Sequence, residues 1–343
     1  MDKAAVIQKV LKTYSKEPQN KTGTFFAPSN IALCKYWGKR NAELNLPVTA
    51  SLSVSLGRYG ANTTLSFSES GSHDDIVVNG KQFNINSDPA FVLNLTAYLN
   101  LFRPTPTAHF CVNTETNVPI GAGLASSACG YAALIGAMDK LYGWQLPLQT
   151  LSLLARLGSG SASRSFWQGF VEWQTGSTED GIDCVGVPLP QIWSELRIGL
   201  LVVNPASKRI SSRKAMEETK LTSPFYGAWP EKHAKDLTRL KKAISLYNFV
   251  ELGEASESNA LAMHAMMLTA NPPILYTEAK TIDAMHKVWH ARQAGLPLYF
   301  TQDAGPNLKL LFLEKDQETV TALFSELIVI APFEQEILNG WVK

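Results

Sequence analysis

Between residues 119 and 128 the chain reads Pro-Ile-Gly-Ala-Gly-Leu-Ala-Ser-Ser-Ala, an uncharged run of mostly small side chains. A strand pattern over 109–113 precedes it, and a small-residue helix pattern over 126–142 follows. That order constrains the fold most, because a strand must open through a loop without bulk into a helix that starts close beside it. Two readings stand open on the residues alone. Small residues let the backbone approach a phosphate at a helix N-terminus, where free N–H groups and a partial positive charge favour anions. Ser126 and Ser127 would then offer hydroxyls to the phosphate or its magnesium. Alternatively the run is a tight strand–helix turn. It contains neither Gly-Lys-Ser/Thr nor GxGxxG, so the Walker and dinucleotide patterns drop out.

The 343 residues, 45% hydrophobic and 18% charged, suffice for about two globular domains. Thirty-one basic and 30 acidic residues give a formal charge of +1, which offers no broad field for nucleic acid or an anionic membrane. No stretch approaches the roughly 18–20 apolar residues of a membrane helix. In the first 22 residues Val6, Ile7, Val10 and Leu11 fall at helical spacing with Lys3, Lys9 and Lys12 between them. That is an amphipathic extension without the apolar core of a secretory signal. Cys34, Cys111, Cys129 and Cys184 are scattered without zinc spacing, as expected of reduced, mostly buried thiols in a cytoplasmic protein. His286 and His290, with Asp283 one turn before, read as a solvated helix face; no metal site is expected there.

Alternation of apolar and polar residues over 23–68 indicates strands, and a short strand over 76–78 ends at the turn pair Asn79-Gly80. Helices are expected over 89–102, 126–142 and 148–157, and a strand over 169–173. After a connector over 188–196, a buried strand over 198–203 opens a second unit. Helices over 230–248, 250–267 and 274–294, strands over 297–301 and 309–313, and a helix from about 317 complete it. The fold class is therefore α+β. The expected division is an amphipathic segment over 1–22, a first domain over 23–190 and a second α+β domain over 191–343.

Three further segments accompany the serine loop. They are Ala27-Pro-Ser-Asn-Ile-Ala-Leu-Cys-Lys-Tyr-Trp-Gly-Lys-Arg40 with Asn45-Leu-Pro following, Arg156-Leu-Gly-Ser-Gly-Ser-Ala-Ser-Arg164, and Phe300-Thr-Gln-Asp-Ala-Gly-Pro-Asn307. Together these resemble the signature segments of the mevalonate diphosphate decarboxylases, within the GHMP kinase superfamily, from about Gly23 into the last helix. The resemblance implies a two-domain GHMP-kinase fold with the active-site cleft between the domains. It also implies ATP with Mg2+ arriving through it, ATP bound by Gly121, Gly123, Leu124, Ala125, Ser126 and Ser127, and a homodimer.

It further implies phosphorylation of a tertiary 3-hydroxyl, then loss of phosphate and CO2 to leave isopentenyl diphosphate. Such a site must accept a proton, hold a carboxylate, hold a distal diphosphate and align ATP. Asp303 is the expected base, on a tight turn whose small neighbours admit substrate. Lys35 would keep Asp303 ionised and stabilise the transferring phosphoryl group. Arg164 would fork onto the carboxylate, a task for a guanidinium rather than an ammonium. Tyr36, Lys39, Ser159, Ser161, Ser212 and Arg213 match positions the family uses for the substrate's phosphates, and Asn30 is expected near the reacting hydroxyl. The rival expectations are a kinase-only 3-kinase relative, a decarboxylase of the monophosphate, and a catalytically silent binder. Lys35 and Asp303 together favour full decarboxylation, and Lys39 with Arg213 favours the diphosphate.

Overall fold

The computed structural model describes residues 1–68, 71–118, 126–205 and 210–334. The amphipathic start forms helix α1 (Lys3–Val10), capped by Asp2, whose carboxylate accepts from the Ala5 N–H at 2.8 Å. Val6 and Ile7 are buried in the core of the first half, and the Trp144 indole N–H donates to the Ser15 carbonyl at 2.8 Å. The extension is therefore docked on the first half. Ile7→Ala should cost about 2–5 kcal/mol through lost burial and a residual cavity. A fall in the urea midpoint at unchanged slope measures it; a loss under about 1 kcal/mol would count against a core role.

The alternating segment resolves into two long strands, β1 (Thr22–Cys34) and, after the small hairpin of β2 (Lys39–Asn41) and β3 (Leu46–Pro47), β4 (Ser51–Phe67). β1 pairs β4 antiparallel from Thr22↔Ser66 to Cys34↔Leu52. The expected strand is β5 (Asp75–Val78), and past the expected turn, with Asn79 and Gly80 at φ +50° and +73°, an unanticipated strand β6 (Lys81–Phe83) pairs back on it as a hairpin. Helix α2 (Pro89–Leu99) and β7 (Phe110–Thr116) follow, and β7 lies parallel to β5. Helices α3 (Ser126–Tyr142) and α4 (Leu148–Gly158), then β8 (Phe170–Trp173) and β9 (Gly186–Pro188), complete the first half. Its seven-stranded sheet runs β6-β5-β7-β4-β8-β9, with β1 also on β4. Gly23 lets β1 pass under α3: a Cβ there would lie 2.0 Å from the Ala137 carbonyl oxygen and 2.5 Å from the Leu141 nitrogen.

The second half begins with β10 (Leu196–Leu201), α5 (Ser212–Thr222), α6 (Trp229–Ser245), α7 (Phe249–Leu268) and α8 (Ala279–Gln293). It ends with β11 (Tyr299–Gln302), β12 (Leu308–Leu313), α9 (Gln317–Leu323) and β13 (Ile328–Ile330). A four-stranded antiparallel sheet runs β11-β12-β10-β13. Leu52, Val54 and Leu56 share one buried cluster with Leu196, Ile198 and Leu252, so an apolar seam joins the two halves.

Several elements depart from expectation. Helix α5 and the short strands β6, β9 and β13 were not anticipated. The α5 sequence, Ser-Arg-Lys-Ala-Met-Glu-Glu-Thr-Lys-Leu-Thr, is mostly polar or charged and buries only Ala215, Met216 and Thr219, too narrow a stripe to declare a helix. β13 is three residues long and exists through pairing with β10. Helix α8 starts at Ala279 rather than near 274, with Glu278 as its N-cap, whose backbone N–H donates to Thr281 Oγ1 at 3.2 Å in a capping box. The four cysteines are free, with Cys34, Cys129 and Cys184 buried. Among the described residues no helix is long and apolar enough to cross a membrane, and no three His, Cys, Asp or Glu residues group to hold a metal.

Candidate active site

The serine–apolar alternation of β4 does two jobs. Leu52 and Val54 face the seam between the halves, while Ser51 and Ser53 face the opposite way, toward Arg164. β1 does the same: Ile31 and Leu33 enter the seam, and Asn30 and Ala32 line a cleft of about 230 Å³. Every catalytic and substrate-binding candidate, from Asn30 to Asp303, lines this cleft. Ser127 lines it too, one residue into α3. Gly121, Gly123, Leu124 and Ala125, and the side chain of Ser126, lie outside the described residues.

Asp303 sits at the turn between β11 and β12. The turn is tied down at three points. Gly305 N–H donates to the Asp303 carbonyl at 2.7 Å, Gln302 Nε2 donates to the Gly305 carbonyl at 2.9 Å, and the Asn307 side-chain oxygen accepts from Val203 and Asn204 N–H at 2.8 and 2.9 Å. The motif thus supplies one carboxylate and the bonds that fix it. Lys35 Nζ lies 2.7 Å from Asp303 Oδ1 and Lys309 Nζ 3.2 Å from Oδ2, and 28% of the Asp303 side chain remains open to the cleft. Burial alone would raise the carboxyl, but the two ammonium groups outweigh it and hold Asp303 well below the usual carboxylate range. Lys309 was missed on sequence. Its signal was a lysine inside an otherwise apolar strand, Leu-Lys-Leu-Leu-Phe-Leu.

Lys35 is the first residue past β1. Its backbone N–H donates to Asn259 Oδ1 at 2.8 Å, Asn259 donates in turn to Asp236 at 2.8 Å, and its Nζ also donates to the Ala32 carbonyl at 2.8 Å. Burial pulls the ammonium below its ordinary value, and Asp303 offsets part of that.

Arg164 ends the short 3₁₀ turn Gly160–Arg164 and is 2% exposed. Its Nε donates to Ser53 Oγ at 3.0 Å, one terminal nitrogen donates to Ser51 Oγ at 2.5 Å, and Asn30 Oδ1 accepts at 3.3 Å. Asn30 is held the other way by donating to Ser165 Oγ at 2.8 Å. Among the described residues no carboxylate pairs with this guanidinium. Burial lowers it to about 10, still charged at neutral pH. A buried cation held only by neutral dipoles is a seat for an anion.

The other end of the cleft is polar and cationic. Gly38, at φ +120°, turns the chain so that Tyr36 and Lys39 both face it. The Tyr36 hydroxyl is buried and has no hydrogen-bond partner among the described residues. Ser159 Oγ lies 3.3 Å from both Ser127 Oγ and Ser161 Oγ. Ser212 and the exposed Arg213 enter from the first turn of α5. Asn45, a residue that sequence reasoning missed, orients Lys39 by accepting from its Nζ at 2.6 Å, and is anchored by donating to the Arg156 carbonyl at 2.8 Å. A second pocket, lined by Lys3, Glu43, Tyr131, Gly158 and Arg213, adjoins the cleft and brings the extension beside it.

Burial, with Arg213 and Lys3 nearby, lowers Lys39 to about 8. The charged form that would bind phosphate is therefore lost as pH rises through that value. We expect kcat/KM for a phosphorylated substrate to fall above about pH 8, since this ratio reports the free enzyme. Lys39→Gln should remove that limb, and its persistence would assign the limb to another group.

Two family models match the chain, a diphosphomevalonate decarboxylase-like N-terminal domain over residues 27–186 and a mevalonate 5-diphosphate decarboxylase C-terminal domain over residues 198–340. The diphosphomevalonate decarboxylase of Candida albicans is 36% identical over 310 residues, covering 87% of this chain and 86% of that protein. Among solved structures, an MDDEF complex with MVAPP, AMPPCP and magnesium superposes with a TM-score of 0.84 at 38% identity, covering 91% of this chain and 97% of the other. The mevalonate diphosphate decarboxylase of Staphylococcus aureus gives 0.84 at 35% identity, over 91% and 95%.

Proposed function

Because the chain belongs to the diphosphomevalonate decarboxylase family, we propose that its cleft converts mevalonate 5-diphosphate and ATP into isopentenyl diphosphate, ADP, phosphate and CO2. It is an ATP-dependent decarboxylase with the two-domain fold of the GHMP kinases. The observation that carries the mechanism is the convergence, in one cleft, of the Lys35–Asp303 pair and a buried guanidinium that pairs with no carboxylate among the described residues.

In this mechanism the substrate carboxylate takes the open side of Arg164, and its diphosphate lies among Tyr36, Lys39, Ser159, Ser161, Ser212 and Arg213. Asp303 accepts the proton of the 3-hydroxyl as that oxygen attacks the γ-phosphorus and ADP leaves. Lys35 has three N–H donors, of which Asp303 and Ala32 use two. The third can meet the transferring phosphoryl oxygens. The 3-phosphate then departs with its bonding electron pair, and the pair of the bond to the carboxylate forms the alkene as CO2 is freed. The hydroxyls of Ser127 and Ser159 beside the α3 N-terminus are hard donors that fit a magnesium nucleotide. Magnesium bound with ATP supplies neutralisation of phosphate charge. The domain division near residue 190, the homodimer and a cytoplasmic setting belong to the same proposal.

The test is parallel measurement of ADP and CO2 from the purified protein with mevalonate 5-diphosphate and Mg-ATP. We expect a one-to-one ratio. ADP without CO2 would leave a kinase, and neither product would leave a binder. The monophosphate should react more poorly, since it forgoes part of the cationic end of the cleft.

A further inference from the structure

Strand β12 alternates. Leu308, Leu310 and Phe312 pack into the core under α8, while Leu311 turns to the seam shared with β1 and β4. Lys309 is on the seam face, directly opposite Thr301 of β11, and its side chain is 2% exposed. Burying an ammonium there is expensive unless the charge has a partner. Its partner is Asp303 Oδ2 at 3.2 Å, the oxygen that Lys35 does not hold. One carboxylate therefore has two nearly inaccessible cations, which is more than charge balance needs.

We propose that Lys309 is a positioning residue for phosphoryl transfer: with Lys35 on Oδ1 and Lys309 on Oδ2, it fixes the rotation of the Asp303 carboxylate and leaves Lys35 free to engage the phosphoryl group. This rests on Asp303 acting as the base. A single cation would act as a hinge about which the carboxylate could swing. Two cations, Lys35 just past the end of β1 and Lys309 on β12, hold its plane across the seam between the halves. The 3.2 Å contact is the looser of the two, so Oδ2, whose second lone pair lies in the plane the lysines hold, is the oxygen less committed to its lysine.

The charged and titratable groups facing Asp303 come from four elements: Lys35 after β1, Lys309 on β12, Arg164 on the 3₁₀ turn and His264 on α7. The His264 Nε2 lies 3.1 Å from the Asp303 backbone carbonyl oxygen, and burial lowers that imidazole to about 4, so it adds no charge at neutral pH. Loss of the Lys309 charge would thus leave Lys35 and the more distant Arg164 to keep Asp303 ionised.

The experiment is Lys309→Met, which keeps length and removes charge, with kcat, KM and the pH profile measured on the full chain. We expect kcat to fall roughly 10- to 100-fold, the scale of a small misplacement of a reacting group. KM should change little, and the acidic limb of kcat should move toward neutral pH. Lys309→Arg should recover part of the rate. In an Asp303→Asn background Lys309→Met should cause almost no further loss, because no charge remains to position. Wild-type kcat with an unmoved limb, or the same fold-loss in both backgrounds, would overturn the proposal and leave Lys309 structural. Should Lys309→Met not fold, Lys309→Gln takes the same measurements and the same outcomes. An active Asp303→Asn enzyme would instead overturn the base beneath it, so the two failures are separable.

Discussion

Asparagine at position 303 is expected to lower kcat by about 10²–10⁴-fold, because the amide keeps the shape of the carboxylate and cannot take the hydroxyl proton. Substrate binding should persist, since the phosphate contacts at the far end of the cleft are untouched. The structure adds a second expected result. Asp303 is the anion for both Lys35 and Lys309, so the variant leaves two buried cations unpaired, at a stability cost of about 3–5 kcal/mol. Burial already lowers Lys35, and without Asp303 the carboxylate that offsets it is gone. The folded state then binds fewer protons than the unfolded chain above neutral pH, so stability rises with pH in that window. The deficit of Asp303→Asn should shrink toward alkaline pH, as read by urea unfolding at pH 7 and pH 9.5. A variant keeping more than about a tenth of wild-type kcat would remove Asp303 as the base.

Arg164→Lys is expected to reduce CO2 production at least about 10²-fold, and ADP production by no more than CO2. Both variants carry one positive charge, so the effect comes from shape. The guanidinium spans Ser51, Ser53 and Asn30 with one set of donors and still offers a fork to a carboxylate. An ammonium must choose between those oxygens and the substrate. The carboxylate then loses its alignment with the departing 3-phosphate, and electron flow into the new alkene slows first. Simultaneous ADP and CO2 quantification decides the matter. A larger fall in ADP than in CO2 would move Arg164 from the carboxylate to the nucleotide side.

Much of the site was legible in sequence because its residues come in short motifs whose spacing is local. Lys35, Tyr36 and Lys39 follow the end of one strand, Ser159, Ser161 and Arg164 occupy one short turn, and Asp303 sits at one hairpin. The alternation Ser-Leu-Ser-Val-Ser-Leu over 51–56 also announced a strand with one polar and one apolar face. Lys309 escaped notice because a single lysine in an apolar strand has no local meaning; its partner lies six residues back, across a hairpin turn. Asn45 escaped because its task, steering Lys39 from a backbone held at φ +52°, is visible only once α4 supplies its anchor. Helix α5 escaped because its charged sequence gains stability from docking Ala215 and Met216, which no amphipathic stripe advertises.

By itself the sequence determined most strands and helices and the α+β class, since these depend on periodicity and turn chemistry within a few residues, and the family resemblance of its short motifs marked the site residues. Only the tertiary structure decided that the polar faces of β1 and β4 would meet the turn between β11 and β12. The apolar faces of the same strands bury against β10 and α7, and burial of that seam sets the two halves at one spacing. At that spacing two lysines from different sheets close on one carboxylate, a long-range electrostatic arrangement that no local pattern encodes.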